Sequence, residues 1–384
     1  MNFELTKEQK AIQKAVRDFA EGEFDKDVAL EYELNHRFPR ELWEKACELG
    51  FVCIAFPEEY GGQGYGMLEE ALVVEELCRK DSGLGISIIL ASFGADLILR
   101  CGSAEQKERW LPLVTSGKAI SAAAFTEPDH GSDITQIATT AVKDGDEWVI
   151  NGTKMFITNG SIASYVIVLC QTDPNAKPPY KGMSTILVET DRPGFEASEV
   201  GVKMGLKMTS TAQLNFNNVR VPLANLIGRE NSGFHQGMEF FDQIRVAVAA
   251  QAVGTAQGAF DRALAYAKER RQFGRRIADF QAIQHKLADM ATKIETARLL
   301  TYKAAWTYDQ GKIDPRLSSM AKLYSARAAV EVCEEAVQIF GGYGYMLENE
   351  VERFYRDARI TEIYEGTREI QKNTIAAYLV GREG

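Results

Sequence analysis

The stretch "EWVINGTKMFITNGSIASYVIVLCQ", residues 147–171, decides the fold. β-Branched and aromatic residues come there in short runs, broken by Asn-Gly at 151–152 and 159–160, the dipeptide that closes tight hairpins. Runs of the same kind follow at 184–190 ("STILVET") and 213–222 ("QLNFNNVRVP"), with Asp-Gly at 144–145 and Pro-Gly at 193–194 as further turn signals. Residues 121–230 therefore read as an antiparallel β-domain.

On both sides of this block the apolar period is helical. Upstream, Thr6 and Gln9 form a capping box before a helix that puts Ile12, Val16 and Phe19 on one face. Pro39 stands just inside another helix start, "LEEALVVEELCRK" (68–80) has helical spacing, and an acidic-to-basic run spans Glu105 to Arg109. Downstream, segments 240–270, 280–310 and 315–340 are each longer than the average globular helix, which suits a bundle. Helices, then strands, then helices do not alternate, so a doubly wound parallel sheet is excluded. The expected class is α+β, mostly α, with an N-terminal helical domain (1–120), a central β-domain (121–230) and a C-terminal helical bundle (231–384).

The chain has 384 residues, 45% hydrophobic and 26% charged, with a formal charge of −10, which describes a globular protein large enough to enclose a cofactor. An acidic surface argues against nucleic-acid binding. Cys47, Cys53, Cys78, Cys101, Cys170 and Cys333 are scattered without a CxxC pair, as expected of core thiols in a reducing, cytoplasmic compartment. The N-terminal residues resemble neither a signal nor a transit peptide. The most apolar stretch, 85–99, is short and contains Asp96, so no membrane span is expected.

Several chemistries lack their residues. No G-x-G-x-x-G joins a strand to a helix, no GK[ST] or GxSxG occurs, and His36, His130, His235 and His285 lie far apart without ligand spacing, so no metal is expected. Carboxylate acid–base chemistry is left, and Glu365 beside Gly366 in "YEGT" is its candidate.

Five motifs converge: "FTEPDHGSD" (125–133), "NGTKMFITNG" (151–160), "KERRQFGRRIADFQAIQ" (268–284), "QIFGGYGY" (338–345) and "RDARITEIYEGT" (356–367). Together they resemble the acyl-CoA dehydrogenase family over essentially the whole chain. The resemblance implies a helical domain, a β-domain and a four-helix bundle, assembled as a homotetramer with one FAD per subunit. It further implies removal of an α-proton from an acyl-CoA thioester by Glu365, with electrons passing through FAD to an electron-transfer flavoprotein. A carboxylate suits that task once a dry pocket raises its pKa.

Other roles come from the same resemblance. Phe125 and Thr126, with Phe156 and Thr158, match residues around the isoalloxazine ring. Ser132 matches one beside both flavin and pantetheine, next to an unusual Asp129-His130 pair. Arg271, Phe273 and Gln284 match the segment that reaches the FAD of a neighbouring subunit, and Gln338, Gly341 and Gly342 match the turn that approaches its diphosphate. Thr367 and Glu369 match further FAD contacts, while Asp242, Arg245, Tyr364 and Gly366 match the substrate side. Ile244 stands where the isovaleryl and long-chain branches carry their base, and it cannot accept a proton. "KMTSTAQ" departs from the usual RxSDT, with Lys207 for arginine and Ser210 for aspartate.

Leu84, at the position where glutaryl-type members carry an arginine, disfavours a dicarboxyl substrate, and Ala91, where some ring-processing members carry an aspartate, disfavours 1,4-elimination. Ala91 and Ser92 are small, which leaves space for a short-to-medium, branched or cyclic acyl group. The alternatives are an acyl-CoA oxidase or flavin monooxygenase on the same fold, or a scaffold that has lost its flavin.

Overall fold

The computed structural model describes residues 4–381. Seven helices come first: α1 (Lys7–Glu23), α2 (Lys26–Leu34), α3 (Arg40–Glu48), α4 (Met67–Lys80), α5 (Ser82–Leu90), α6 (Ala95–Cys101) and α7 (Ala104–Thr115). The capping box at α1 is formed: the Thr6 hydroxyl accepts from the Gln9 amide at 3.1 Å and Gln9 Oε1 accepts from the Thr6 amide at 2.9 Å. Val16 and Phe19 are buried, with Ile12 packed against their cluster. Pro39 is the residue before α3 rather than its first residue.

The apolar run from Ser82 to Cys101 satisfies the length and composition of a membrane span, yet 72% of it is buried inside the protein. It is broken into α5 and α6 by residues 91–94, where Gly94 takes φ +95°.

Strands β1 (Ser121–Ala124), β2 (Thr140–Asp144), β3 (Glu147–Thr158), β4 (Tyr165–Gln171), β5 (Met183–Glu189), β6 (Phe195–Glu199), β7 (Thr211–Pro222) and β8 (Leu226–Ile227) form one eight-stranded sheet, ordered β6-β7-β3-β2-β4-β5-β8 with β1 beside β4. The hairpin readings hold for β2–β3, and β4–β5 and β6–β7 pair antiparallel as well. Two amendments are needed. Asn151-Gly152 lies inside β3, at a shift in the β3–β7 register, and Asn159-Gly160 follows β3 without pairing it to β4, so neither closes a hairpin and the β2–β3 turn is the Asp-Gly at 144–145. β1 and β2 both run parallel to β4, so the sheet is mixed. β4 and β5 are buried along their whole length, which is why they read as continuous apolar runs rather than alternating ones.

The C-terminal part consists of α8 (Gly233–Glu269), a short β9–β10 hairpin (Arg271–Gln272, Arg275–Arg276), α9 (Gln281–Asp309), α10 (Pro315–Phe340), α11 (Val351–Ala358) and α12 (Arg368–Val380). α8 takes in the 240–270 segment from a start at Gly233, and it packs on α4 and α10 through a stripe of small residues, Ala249, Ala252, Ala256, Ala259 and Ala263, all buried. Small side chains let backbones approach closely. A Cβ on Gly254 would stand 2.3 Å from the Glu75 carbonyl of α4, so this helix pair requires glycine there.

Candidate active site

Glu365 lies in the turn between a single 3-10 turn (Arg359–Glu362) and α12, and both it and Gly366 take positive φ, +54° and +94°. A glutamate in that region is strained and needs support from its surroundings. The support comes from carbonyl clamps. Gln371 Nε2, one turn into α12, donates to the Glu365 carbonyl at 3.1 Å and to the Gly366 carbonyl at 2.9 Å. Lys322 Nζ, from α10, donates to the same Gly366 carbonyl at 2.6 Å. Gly366 is required by conformation and by space, because a Cβ would stand 2.6 Å from Gln371 Nε2. Thr367 then caps α12, its hydroxyl accepting from the Ile370 amide at 3.4 Å.

The carboxyl that this turn presents is half-buried, and its Oε2 is sealed from solvent without a hydrogen-bond partner. Burial pushes Glu365 up to about 7, although the positive charges of Lys322 and Arg245 pull the other way. Burial likewise presses Lys322 down to about 8. Arg245 is paired with Asp242 at 2.5 Å across one turn of α8, and burial raises Asp242 to about 6 against that attraction. Tyr364 turns the other way, into the core between α4 and α8, and its hydroxyl donates to Gln251 Oε1. Ile244 packs as an apolar side chain against a neighbouring cluster.

The sheet edge adjoins this region through α8. The Phe125 ring stacks with Phe240 and meets Phe241 at 5.0 Å, one residue before Asp242. The Thr126 carbonyl accepts from the Met155 amide at 2.9 Å, joining the 125–127 segment to β3. The β3–β7 register shifts between Lys154 and Ile157, and at that bulge Phe156 takes φ +59° and is 65% exposed. A bulge re-aims a side chain beside a site without breaking the sheet. Thr158 is half-buried at the end of β3, and Gly131 lies over Thr126, so the exposed Ser132 belongs to the same edge.

A second group of candidates lies elsewhere. Arg271, Phe273, Gln284, Gln338, Gly341 and Gly342 are all exposed, Phe273 at 92% with φ +51°. A groove of about 470 Å³ brings the β9–β10 hairpin to the end of α10, lined by Arg270, Gln272, Phe340, Gly341, Gly342 and Tyr343 among others. Lys322 and Gly341 stand on one helix, so at 1.5 Å per residue the groove is about 28 Å from the Glu365 turn. One chain does not bring its two groups of candidates together. Glu369 is exposed and paired with Arg368 at 2.8 Å, while Thr367 is engaged in capping.

Residues outside the sequence candidates hold the site. Lys154, fully buried, donates to the Phe125 carbonyl at 3.1 Å and pairs with Glu127 at 2.9 Å, and Glu127 also accepts from the amides of Ala138 and Thr139. Lys154 lies within the "NGTKMFITNG" motif, in a strand rich in β-branched and aromatic residues, so a lysine at an inward position there was the available signal. Lys322, Gln251 and Gln371 carry no such local signal. Leu84 and Ala91 are both fully buried among the residues of the N-terminal core. Lys207 lies 3.7 Å from Glu33, and Ser210 shares a hydrogen bond with Ser161 at 2.7 Å, so both departures from the usual motif are engaged within the chain.

One sheet thus lies between two helical parts, with a strained and clamped turn that presents a half-buried carboxyl beside groups from α8, α10 and α12. Three family models match the chain: acyl-CoA dehydrogenase N-terminal domain over residues 6–118, middle domain over 122–219 and C-terminal domain over 231–380. The chain is 44% identical to an acryloyl-CoA reductase (NADH) of Anaerotignum propionicum, covering 100% of this chain and 97% of that one. Butyryl-CoA dehydrogenase of Megasphaera elsdenii superposes with a TM-score of 0.94 at 38% identity, covering 99% of this chain and 100% of its own. A chain from a structural study of the electron transferring flavoprotein of Acidaminococcus fermentans superposes at 0.96 with 42% identity over 100% of both. The chain belongs to the acyl-CoA dehydrogenase family, whose members are flavoproteins acting on acyl-CoA, and is a flavin-dependent oxidoreductase.

Proposed function

We propose that this chain catalyses α,β-dehydrogenation of a short acyl-CoA thioester, with Glu365 as the base. The observation that carries the reading is the Glu365 carboxyl itself: half-buried, with its Oε2 sealed and without a hydrogen-bond partner among the described residues, and raised to about 7 by burial. An ordinary surface glutamate would be ionised, solvated and too weak a base for a carbon acid.

The residues fit FAD. Phe125, Thr126, Ser132, Phe156 and Thr158 border one edge, Phe156 held outward by the bulge. At the other end of α10, a Cβ on Gly341 or Gly342 would meet no atom within 4 Å, which leaves the backbone open to a diphosphate. Because that groove lies far from Glu365, we assign Arg271, Phe273, Gln284, Gln338, Gly341 and Gly342 to the flavin of a neighbouring subunit in a homotetramer, and Thr367 and Glu369 to FAD contacts at the Glu365 turn. When bound, FAD supplies the acceptor for the hydride that leaves the β-carbon.

The chain's own part is proton transfer and exclusion of water. Glu365, ionised above about pH 7, takes the α-proton. Its position on a clamped turn fixes the carboxylate toward the space shared with Arg245, and Asp242 with Arg245 faces the CoA side. The protonated carboxyl can return a proton to the same carbon. One set of residues thus serves oxidation here and the reduction named for the Anaerotignum relative. The redox partner sets the direction, and we assign that role to an electron-transfer flavoprotein in the cytoplasm.

Anaerobic titration of the yellow protein with straight, branched and cyclic acyl-CoAs tests the substrate class. A four-carbon acyl-CoA is expected to bleach the flavin fastest, and bleaching only by long-chain or dicarboxyl thioesters would overturn the reading.

A further inference from the structure

Lys322 is fully buried on α10, and its ammonium contacts the neutral Gly366 carbonyl at 2.6 Å. The other cation facing the site, Arg245, is already paired with Asp242 at 2.5 Å. A buried ammonium is costly unless something nearby requires its charge. The groups facing it are Glu365, Arg245, Glu362 and Glu369, with Glu365 the strongest. Facing Glu365 in turn are Lys322 from α10 and Arg245 from α8, while the neighbouring Tyr364 hydroxyl, turned into the core, is held by Gln251 and feels the Glu365 charge.

We propose that Lys322 is a positioning residue for the base: one buried ammonium holds the strained Glu365–Gly366 turn by its carbonyl and supplies the positive charge against which the Glu365 carboxylate ionises. This rests on Glu365 being the base. The two duties are coupled by geometry, since the carbonyl that receives Lys322 belongs to the residue next to Glu365, and Gln371, from α12, secures that carbonyl together with the Glu365 carbonyl. Without Lys322, the Gln371 amide would still hold the turn, but burial of the carboxylate would be opposed only by an arginine already paired.

The direction follows from the charges. Lys322 lowers the pKa of Glu365 against burial, so its removal raises that pKa and delays ionisation to higher pH. Lys322→Gln keeps a donor for the Gly366 carbonyl and removes the charge, Lys322→Met removes both, and Lys322→Arg keeps the charge. Two readouts are taken across pH: the infrared band of the protonated Glu365 carboxyl, assigned by its loss in Glu365→Gln, and the anaerobic rate of flavin bleaching by a four-carbon acyl-CoA.

In Lys322→Gln, both midpoints are expected to move up by about one to two pH units, with bleaching about tenfold slower at pH 7 and restored at pH 9. Lys322→Arg should keep the wild-type midpoints. An unmoved carboxyl midpoint in Lys322→Gln, with bleaching lowered equally at every pH or not at all, overturns the proposal and leaves Lys322 a structural residue. Undiminished bleaching in Glu365→Gln would instead overturn the base assignment, whatever the lysine variants do. Lys322→Met adds the effect of losing the clamp, and the Gln and Arg variants decide the matter if it does not fold.

Discussion

Two turns at opposite ends of α10 both use positive φ, yet they are built differently. The Glu365–Gly366 turn is closed: Lys322 and Gln371 hold its carbonyls, and a Cβ at Gly366 would strike Gln371. The Gly341–Gly342 turn is open, with nothing within 4 Å of either added Cβ. In the first, the chain alone explains its glycine. In the second, Gly341 is explained by its backbone, φ +61° with ψ −136°, while no contact among the described residues requires Gly342. A chemical group on a clamped turn can act as a fixed base, whereas an open turn of small residues suits contact with something from outside the chain.

The contrast can be broken by substitution. The largest effect falls on the closed turn: Glu365→Gln is expected to leave flavin bound and to slow its reduction by acyl-CoA about 10³- to 10⁴-fold, measured by anaerobic stopped-flow absorbance. At the open turn the effects are smaller and divide by cause. Gly341→Ala forces an L-residue into a backbone that glycine alone adopts easily, and should cost about 1–2 kcal/mol in urea unfolding. Gly342→Ala should change stability by no more than about 0.5 kcal/mol while weakening flavin retention on gel filtration. Equal loss of stability at both glycines would erase the distinction.

Much of the fold was legible because its signals are local. The Thr6–Gln9 box, the Asp-Gly turn between β2 and β3 and the long helical periods each depend on neighbours within a few residues, and each was found where it was expected. The parallel pairing of β1 with β4 joins Ser121 to Tyr165 across an intervening hairpin, and no local pattern encodes such a register. The same limit applies to the site. Glu365 stands out in sequence through its motif, but Lys322, Gln371 and Gln251 gain their roles only when α8, α10 and α12 meet. The separation of the two turns was hidden as well: the length of α10 is legible, but which of its turns the Glu365 segment packs against is set by the contact of Lys322 with the Gly366 carbonyl.

The central claim is that burial has made Glu365 a base poised near neutrality. A raised pKa means the carboxyl stays protonated, and unable to take a proton, through the range where an ordinary glutamate is ionised. The wild-type rate of anaerobic flavin reduction by a four-carbon acyl-CoA should therefore climb with pH and level off above an inflection near 7, at the value to which burial raises Glu365. A rate already at its plateau by pH 5 would contradict it, since the carboxylate would then be ionising like one in water.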